Sequence, residues 1–83
     1  MANGTINNKN PYPTTNTGTT NAVGQIRIRE DINKIPVAVK VDNMTAEAIP
    51  YVYNNQWWAR ITNYSGSSIT NTEVTITAYW LIL

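Results

Sequence analysis

The residues that could do chemistry in this chain are few. Glu30 and Asp31 are adjacent carboxylates, but on a strand neighbours face opposite ways, so they serve as a general acid and base only if a turn brings them together. Solvated turn charges are the simpler reading of the pair. The stretch "NYSGSS" sets serines beside Gly66 without a G-x-S-x-G frame or a recognisable base. With no histidine and no cysteine in 83 residues, the usual proton shuttle, thiolate nucleophiles and Cys/His zinc sites are excluded. Neither a phosphate-cradling loop nor a calcium-loop spacing is present. The expectation is a protein that is not an enzyme and carries no metal or cofactor.

Binding chemistry is better represented. In "YVYNNQWWARITN", Asn54 and Asn55 suit the two-residue loop of a type I′ hairpin, because Asn tolerates positive φ. That loop fixes a register: Tyr53 opposite Gln56, Val52 opposite Trp57, and Tyr51 opposite Trp58. One face collects Ala48, Pro50, Val52, Trp57, Ala59 and Ile61, an ordinary core face. The other collects Ile49, Tyr51, Tyr53, Trp58, Arg60 and Thr62, too aromatic for routine exposure and too polar for a core. Three readings of Tyr51, Tyr53, Trp58 and Arg60 stand side by side. They are a tolerated surface cluster, an oligomer interface, where Trp, Tyr and Arg are enriched, or a glycan platform on which rings stack while Arg and Asn meet hydroxyls.

The elements that must position these groups read as strands. In "GQIRIRE", Ile26 and Ile28 alternate with Arg27 and Arg29; in "IPVAVKVD", Ile35, Val37, Val39 and Val41 share one face, with Ala38, Lys40 and Asp42 opposite. The link "DINK" and the segment "NYSGSS" carry turn residues. Pro50 donates no backbone hydrogen bond, which places its strand at an edge or at a bulge. In "EVTITAYWLIL", Val74, Ile76, Ala78, Trp80 and Ile82 alternate with Thr75, Thr77, Tyr79, Leu81 and Leu83. No stretch sustains a helical apolar period. The predicted fold is all-β, a small antiparallel β-sandwich of jelly-roll or immunoglobulin-like type spanning residues 23–83.

Residues 1–22 form a separate block in which twelve positions are Asn or Thr. It is too poor in apolar residues to offset its own ordering entropy. It is expected to be an extended or flexible N-terminal arm, either loose or ordered against a partner. The six bases and five carboxylates leave a net charge of +1, weak attraction for nucleic acid or an anionic membrane. The opening residues lack a secretory pattern, and "AYWLIL" is too short to insert in a bilayer. A domain of this size buries only about 60% of its unfolded surface, and no disulfide is available as a staple. Association is therefore expected, with Tyr79, Leu81 and Leu83 at an oligomer interface, because a strand apolar on both faces is hazardous if left open.

The segment "YVYNNQWWARITNYSGSSITNTEVTITAYWLIL" resembles the closing β-domain of bacteriophage fibre, spike and receptor-binding proteins. What carries the likeness is a Trp-rich strand, a short Asn/Ser/Gly loop and a final "VTITAYW" strand. An immunoglobulin-like sandwich shares "RITNYSGSSITNTEVTIT" equally. The resemblance implies a homotrimeric virion component, joined to other virion proteins through residues 1–22 and able to contact a host-surface glycan. The absence of a secretory pattern adds the expectation of synthesis in the host cytoplasm without a signal peptide. The chain departs from that pattern in lacking heptads, collagen-like repeats and a shaft, which favours a head fibre, a decoration protein or a tip subunit. The alternatives are a small carbohydrate-binding module and a pilus-like surface subunit joined through its arm.

Overall fold

The computed structural model describes residues 12–81. They form six strands: β1 (Tyr12–Thr19), β2 (Gln25–Ile28), β3 (Ile35–Val41), β4 (Glu47–Tyr53), β5 (Gln56–Thr62) and β6 (Glu73–Leu81). The described residues contain no helix. All pairings are antiparallel, in the order β1-β6-β3-β4-β5-β2. The sheet curls into a nearly closed, barrel-like form whose seam lies between β1 and β2.

The all-β class holds, in one continuous six-stranded sheet where the expectation was a sandwich of jelly-roll or immunoglobulin-like type. Two three-stranded ladders, β1-β6-β3 and β4-β5-β2, are continuous with one another through the single pair Lys40↔Glu47. Pro50 supplies the reason this link is thin. Tyr53 and Gln56 close the two-residue hairpin, so alternate residues of β4 direct their backbone groups toward β3, and Pro50 falls on that side without an N–H. The ladder that would zip β3 to β4 lacks a donor at its middle.

The hairpin follows the register its loop implies: Asn54 and Asn55 have φ of 52° and 58°, and Tyr51 pairs with Trp58, Val52 with Trp57. Strand β3 departs from simple alternation. A bulge between Pro36 and Ala38 leaves Val37 unpaired, so Val39 and Val41 pack on the core while Ile35 pairs with Leu81 on the outer face. A bulge is one of the few places a sheet tolerates a proline.

Strand β1 lies within the block expected to be an arm. Tyr12–Thr19 pairs along its whole length with β6, from Tyr12↔Trp80 to Thr19↔Glu73. Its apolar content is low, but its backbone completes the β6 ladder and its hydroxyls join in. Thr15 and Thr17 lie 3.2 and 3.0 Å from the hydroxyls of Thr77 and Thr75, and Thr14 accepts a 2.8 Å bond from the Trp80 indole. The remainder of the block up to residue 11, and Ile82 and Leu83, lie outside the described residues.

The core is built from Ile26, Ile28, Ala59, Ile61, Val74, Ile76, Ala78 and Trp80, with Trp57 meeting Trp80 edge-on at 6.1 Å. The seam between β1 and β2 is fastened at both ends by polar groups. At one end the β1–β2 turn closes it, the Asn21 amide donating to the Gln25 carbonyl at 2.9 Å and the Gly24 amide to the Asn21 carbonyl at 3.1 Å. At the other, the turn after β2 carries Glu30 and Lys34, paired at 3.2 Å and both bonded to the Tyr12 hydroxyl.

This cluster gives the fold a pH signature. Burial pushes the Glu30 carboxyl up, but the Asp31 amide, the Lys34 ammonium and the Tyr12 hydroxyl outweigh it and hold it below its ordinary value of 4.5. A carboxyl depressed on folding adds stability that is complete above the unfolded value and disappears as pH falls through the folded one. Below pH 4.5 the melting temperature of the wild type is therefore expected to fall more steeply than that of Glu30→Gln. Circular-dichroism melts at stepped pH check this, and parallel slopes would remove Glu30 from the account.

Candidate functional site

The outer face of β4-β5-β2 carries the aromatic residues that stand out in the sequence. Tyr51, Tyr53, Trp58 and Arg60 point away from the core together, because Trp57, Ala59 and Ile61 take the opposite face of β5. The Tyr53 and Trp58 rings meet edge-on, with centroids 6.2 Å apart and planes at 79°. Tyr51 is half-buried beside Trp58. Burial pushes its hydroxyl up from the ordinary value of 10.0, while Gln25 and Arg60 pull it part of the way back. Arg60 donates a 3.1 Å bond to the Ser68 hydroxyl across the turn that follows β5.

Strand β2 adds residues to this face that the hairpin pattern alone does not reveal. Its pairing with β5 puts Arg27 opposite Trp58 and Gln25 opposite Arg60. Trp58 is thus flanked by Tyr51 on one side and Arg27 on the other, a three-strand row of two rings and a guanidinium. The available signal was the alternation in "QIRIR", which sets both arginines on the outer face without saying which strand they meet.

Beside this row, the β1–β2 seam opens into a groove of about 340 Å³. Asn16 and Thr19 line one wall; Gln25, Arg27, Arg29 and Trp58 line the other. Asn21 and the backbone hold its rim. The Asn21 side chain accepts from the amides of Val23 and Gln25 and donates to the Gln25 side chain, and Asn16 donates to the Arg27 carbonyl at 3.4 Å. Two donors at the groove are enclosed without an acceptor: Arg27 Nε and Trp58 Nε1. Leaving such a group unpaired costs about 1–3 kcal/mol each.

The second set of expected interface residues lies on the opposite side of the molecule. Tyr79 and Leu81 are half-buried on the outer face of β6, where Tyr79 pairs with Pro13 and Ala38, and Leu81 with Ile35. Leu83 lies outside the described residues. The edges of β6 are covered within the chain by β1 and β3, so covering them needs no second protomer. Its outer face is the part left to explain.

Among the carboxylates, Glu30 is committed to Lys34 and Tyr12, and Asp31 accepts from the Asn33 amide to hold its turn. Among the described residues no three metal-ligating side chains come together, and no helix is long and apolar enough to cross a membrane. Comparison with family models, curated proteins and solved structures finds no match to this chain.

Proposed function

We propose that this protein is a non-enzymatic structural subunit of a bacteriophage virion, a homo-oligomer of the head-fibre, decoration or tail-tip kind. One observation carries the assembly part of the reading. Pro13, Ile35, Ala38, Tyr79 and Leu81 form an uncharged apolar strip across three adjacent strands on the outside of the sheet. Ile35 is 47% exposed, and the bulged Val37 beside the strip is 53% exposed. A second copy of the same chain suits such a strip, because neither surface strands a charge on contact. The virion setting, the trimeric count and attachment through the N-terminal residues come from the resemblance of the C-terminal half. In this reading the two ladders act as the layers of a small sandwich.

Light scattering at micromolar concentration is expected to give the mass of an oligomer, a trimer in this reading. Leu81→Glu or Ile35→Lys, both at positions accessible to solvent, should weaken assembly by roughly 30-fold or more, the effect of losing an interface hot spot. Their circular dichroism should be unchanged. A wild-type chain that stays monomeric under these conditions overturns the assembly reading.

A second reading, a carbohydrate-binding module, is favoured by the row of Tyr51, Trp58 and Arg27 beside an open groove. The two readings are compatible, because the outer faces of β5 and β6 point away from each other across the core.

A further inference from the structure

We infer that the groove at the β1–β2 seam is a binding site for an acidic saccharide, a sugar ring that carries a carboxylate or phosphate. The argument begins with which polar groups remain free there. Arg27 and Arg29 take part in no ion pair among the described residues, and no carboxylate lines the groove. Elsewhere among the described residues the cations are occupied: Lys34 by Glu30, Lys40 by Asp42, and Arg60 by the Ser68 hydroxyl.

Guanidinium and indole groups only donate hydrogen bonds. Arg27 Nε and Trp58 Nε1 already lack acceptors, so what this site wants is a partner rich in acceptors. An oxyanion meets that need, and a guanidinium binds it by paired, charge-assisted bonds. The two arginines lie two residues apart in the chain, Arg29 just past the end of β2, and at extended spacing that is about 7 Å, close enough to serve one small ligand. Both nitrogens are enclosed in the free protein, so the Arg27 side chain must shift for a ligand to meet either of them.

The rest of the groove selects a hydroxylated scaffold. The Asn16 amide gives its N–H to the Arg27 carbonyl and keeps its oxygen free, and the Thr19 hydroxyl is exposed on the same wall. An acceptor and a hydroxyl suit sugar hydroxyls, which both give and take. A volume near 340 Å³ is at the small end of ligand sites, which run from about 300 to 1,000 Å³. It accommodates one or two rings. A nucleic-acid strand is disfavoured, because it calls for a longer track of cations than two arginines on a chain of net charge +1.

This site deepens the carbohydrate-binding reading and is independent of assembly, since a monomer that bound the ligand would leave it intact. The test follows the Trp58 indole N–H resonance in the full-length, isotope-labelled protein during titration with glucuronate, glucose 6-phosphate, glucose and an oligothymidylate. The expected result is a saturable shift with glucuronate, glucose 6-phosphate or both, the two arms separating carboxylate from phosphate, and none with glucose. Arg27→Gln and Arg29→Gln should each weaken that binding roughly 10- to 100-fold, the loss of a charge-assisted bond. Arg29 is exposed and outside the strand, so its variant keeps the fold and decides the matter if Arg27→Gln misfolds. The inference is overturned if neither acid shifts the resonance, if glucose shifts it equally, if Arg29→Gln binds unchanged, or if the oligonucleotide binds more tightly than either acid.

Discussion

Replacing Trp80 with alanine is expected to cost about 3–5 kcal/mol, the range for emptying a large aromatic site in a core. Trp80 has no exposed surface and sits where β6 is flanked by β1 and β3. The substitution removes its edge-on contact with Trp57 and the 2.8 Å bond from its indole to Thr14. It therefore loosens an aromatic contact between the two ladders and the tie to β1 together. Against a total stability of about 5–15 kcal/mol, with a small domain near the low end, that loss removes most of the margin and leaves roughly 0–2 kcal/mol. Trp80→Phe separates the contributions, because it keeps most of the ring and forfeits the indole N–H. Urea denaturation followed by circular dichroism should order the midpoints wild type, Trp80→Phe, Trp80→Ala. A Trp80→Ala midpoint equal to that of the wild type would mean this side chain does not hold the core.

Gly24→Ala is expected to cost roughly 2–5 kcal/mol, the sum of two effects. The residue has φ of +82°, which an L side chain adopts at a cost of about 1–2 kcal/mol. A Cβ there would also lie 3.0 Å from Ser68 Cβ and 3.1 Å from the Ile61 carbonyl oxygen, and the latter belongs to a backbone that has little room to move. The closeness is enforced, since the Ile61 amide donates to the Gly24 carbonyl at 2.8 Å and the Ile69 amide to the Ile61 carbonyl at 2.9 Å. Gly66→Ala is the internal control. Its φ is +90°, yet a Cβ would meet nothing within 4 Å, so it incurs the backbone term alone. Denaturation midpoints should place Gly24→Ala well below Gly66→Ala. Equal midpoints would show that the crowding around Gly24 is relieved at no cost.

Much of this architecture was legible in the sequence where the information is local. The Asn54-Asn55 loop fixes the hairpin register, and alternation alone assigns Val74, Ile76, Ala78 and Trp80 to the core. Strand β1 escaped because composition measures what a segment can bury, and Tyr12–Thr19 buries little. Its stability comes from β6, distant in the chain, through backbone pairing and threonine hydroxyls. The alternating threonines at 15, 17 and 19 were the available hint, since Thr favours strands. In β3, Pro36 marked a place where regular pairing would fail, but not that the bulge would turn Ile35 outward. The site was half visible for the same reason. Tyr51 and Trp58 meet across a two-residue turn, whereas Arg27 joins them through a non-local pairing whose register no local signal encodes.

The register also settles how the molecule can be handled. Tyr12 and Trp80 are direct partners, so β1 begins and β6 ends at the same pole, alongside Ile35 and Leu81. A fluorophore attached at Tyr12 or Leu81 therefore sits at the apolar strip and would obstruct a partner docking there. The 63–67 turn occupies the far pole, where the surroundings of Gly66 are empty. A label inserted there leaves the strip free.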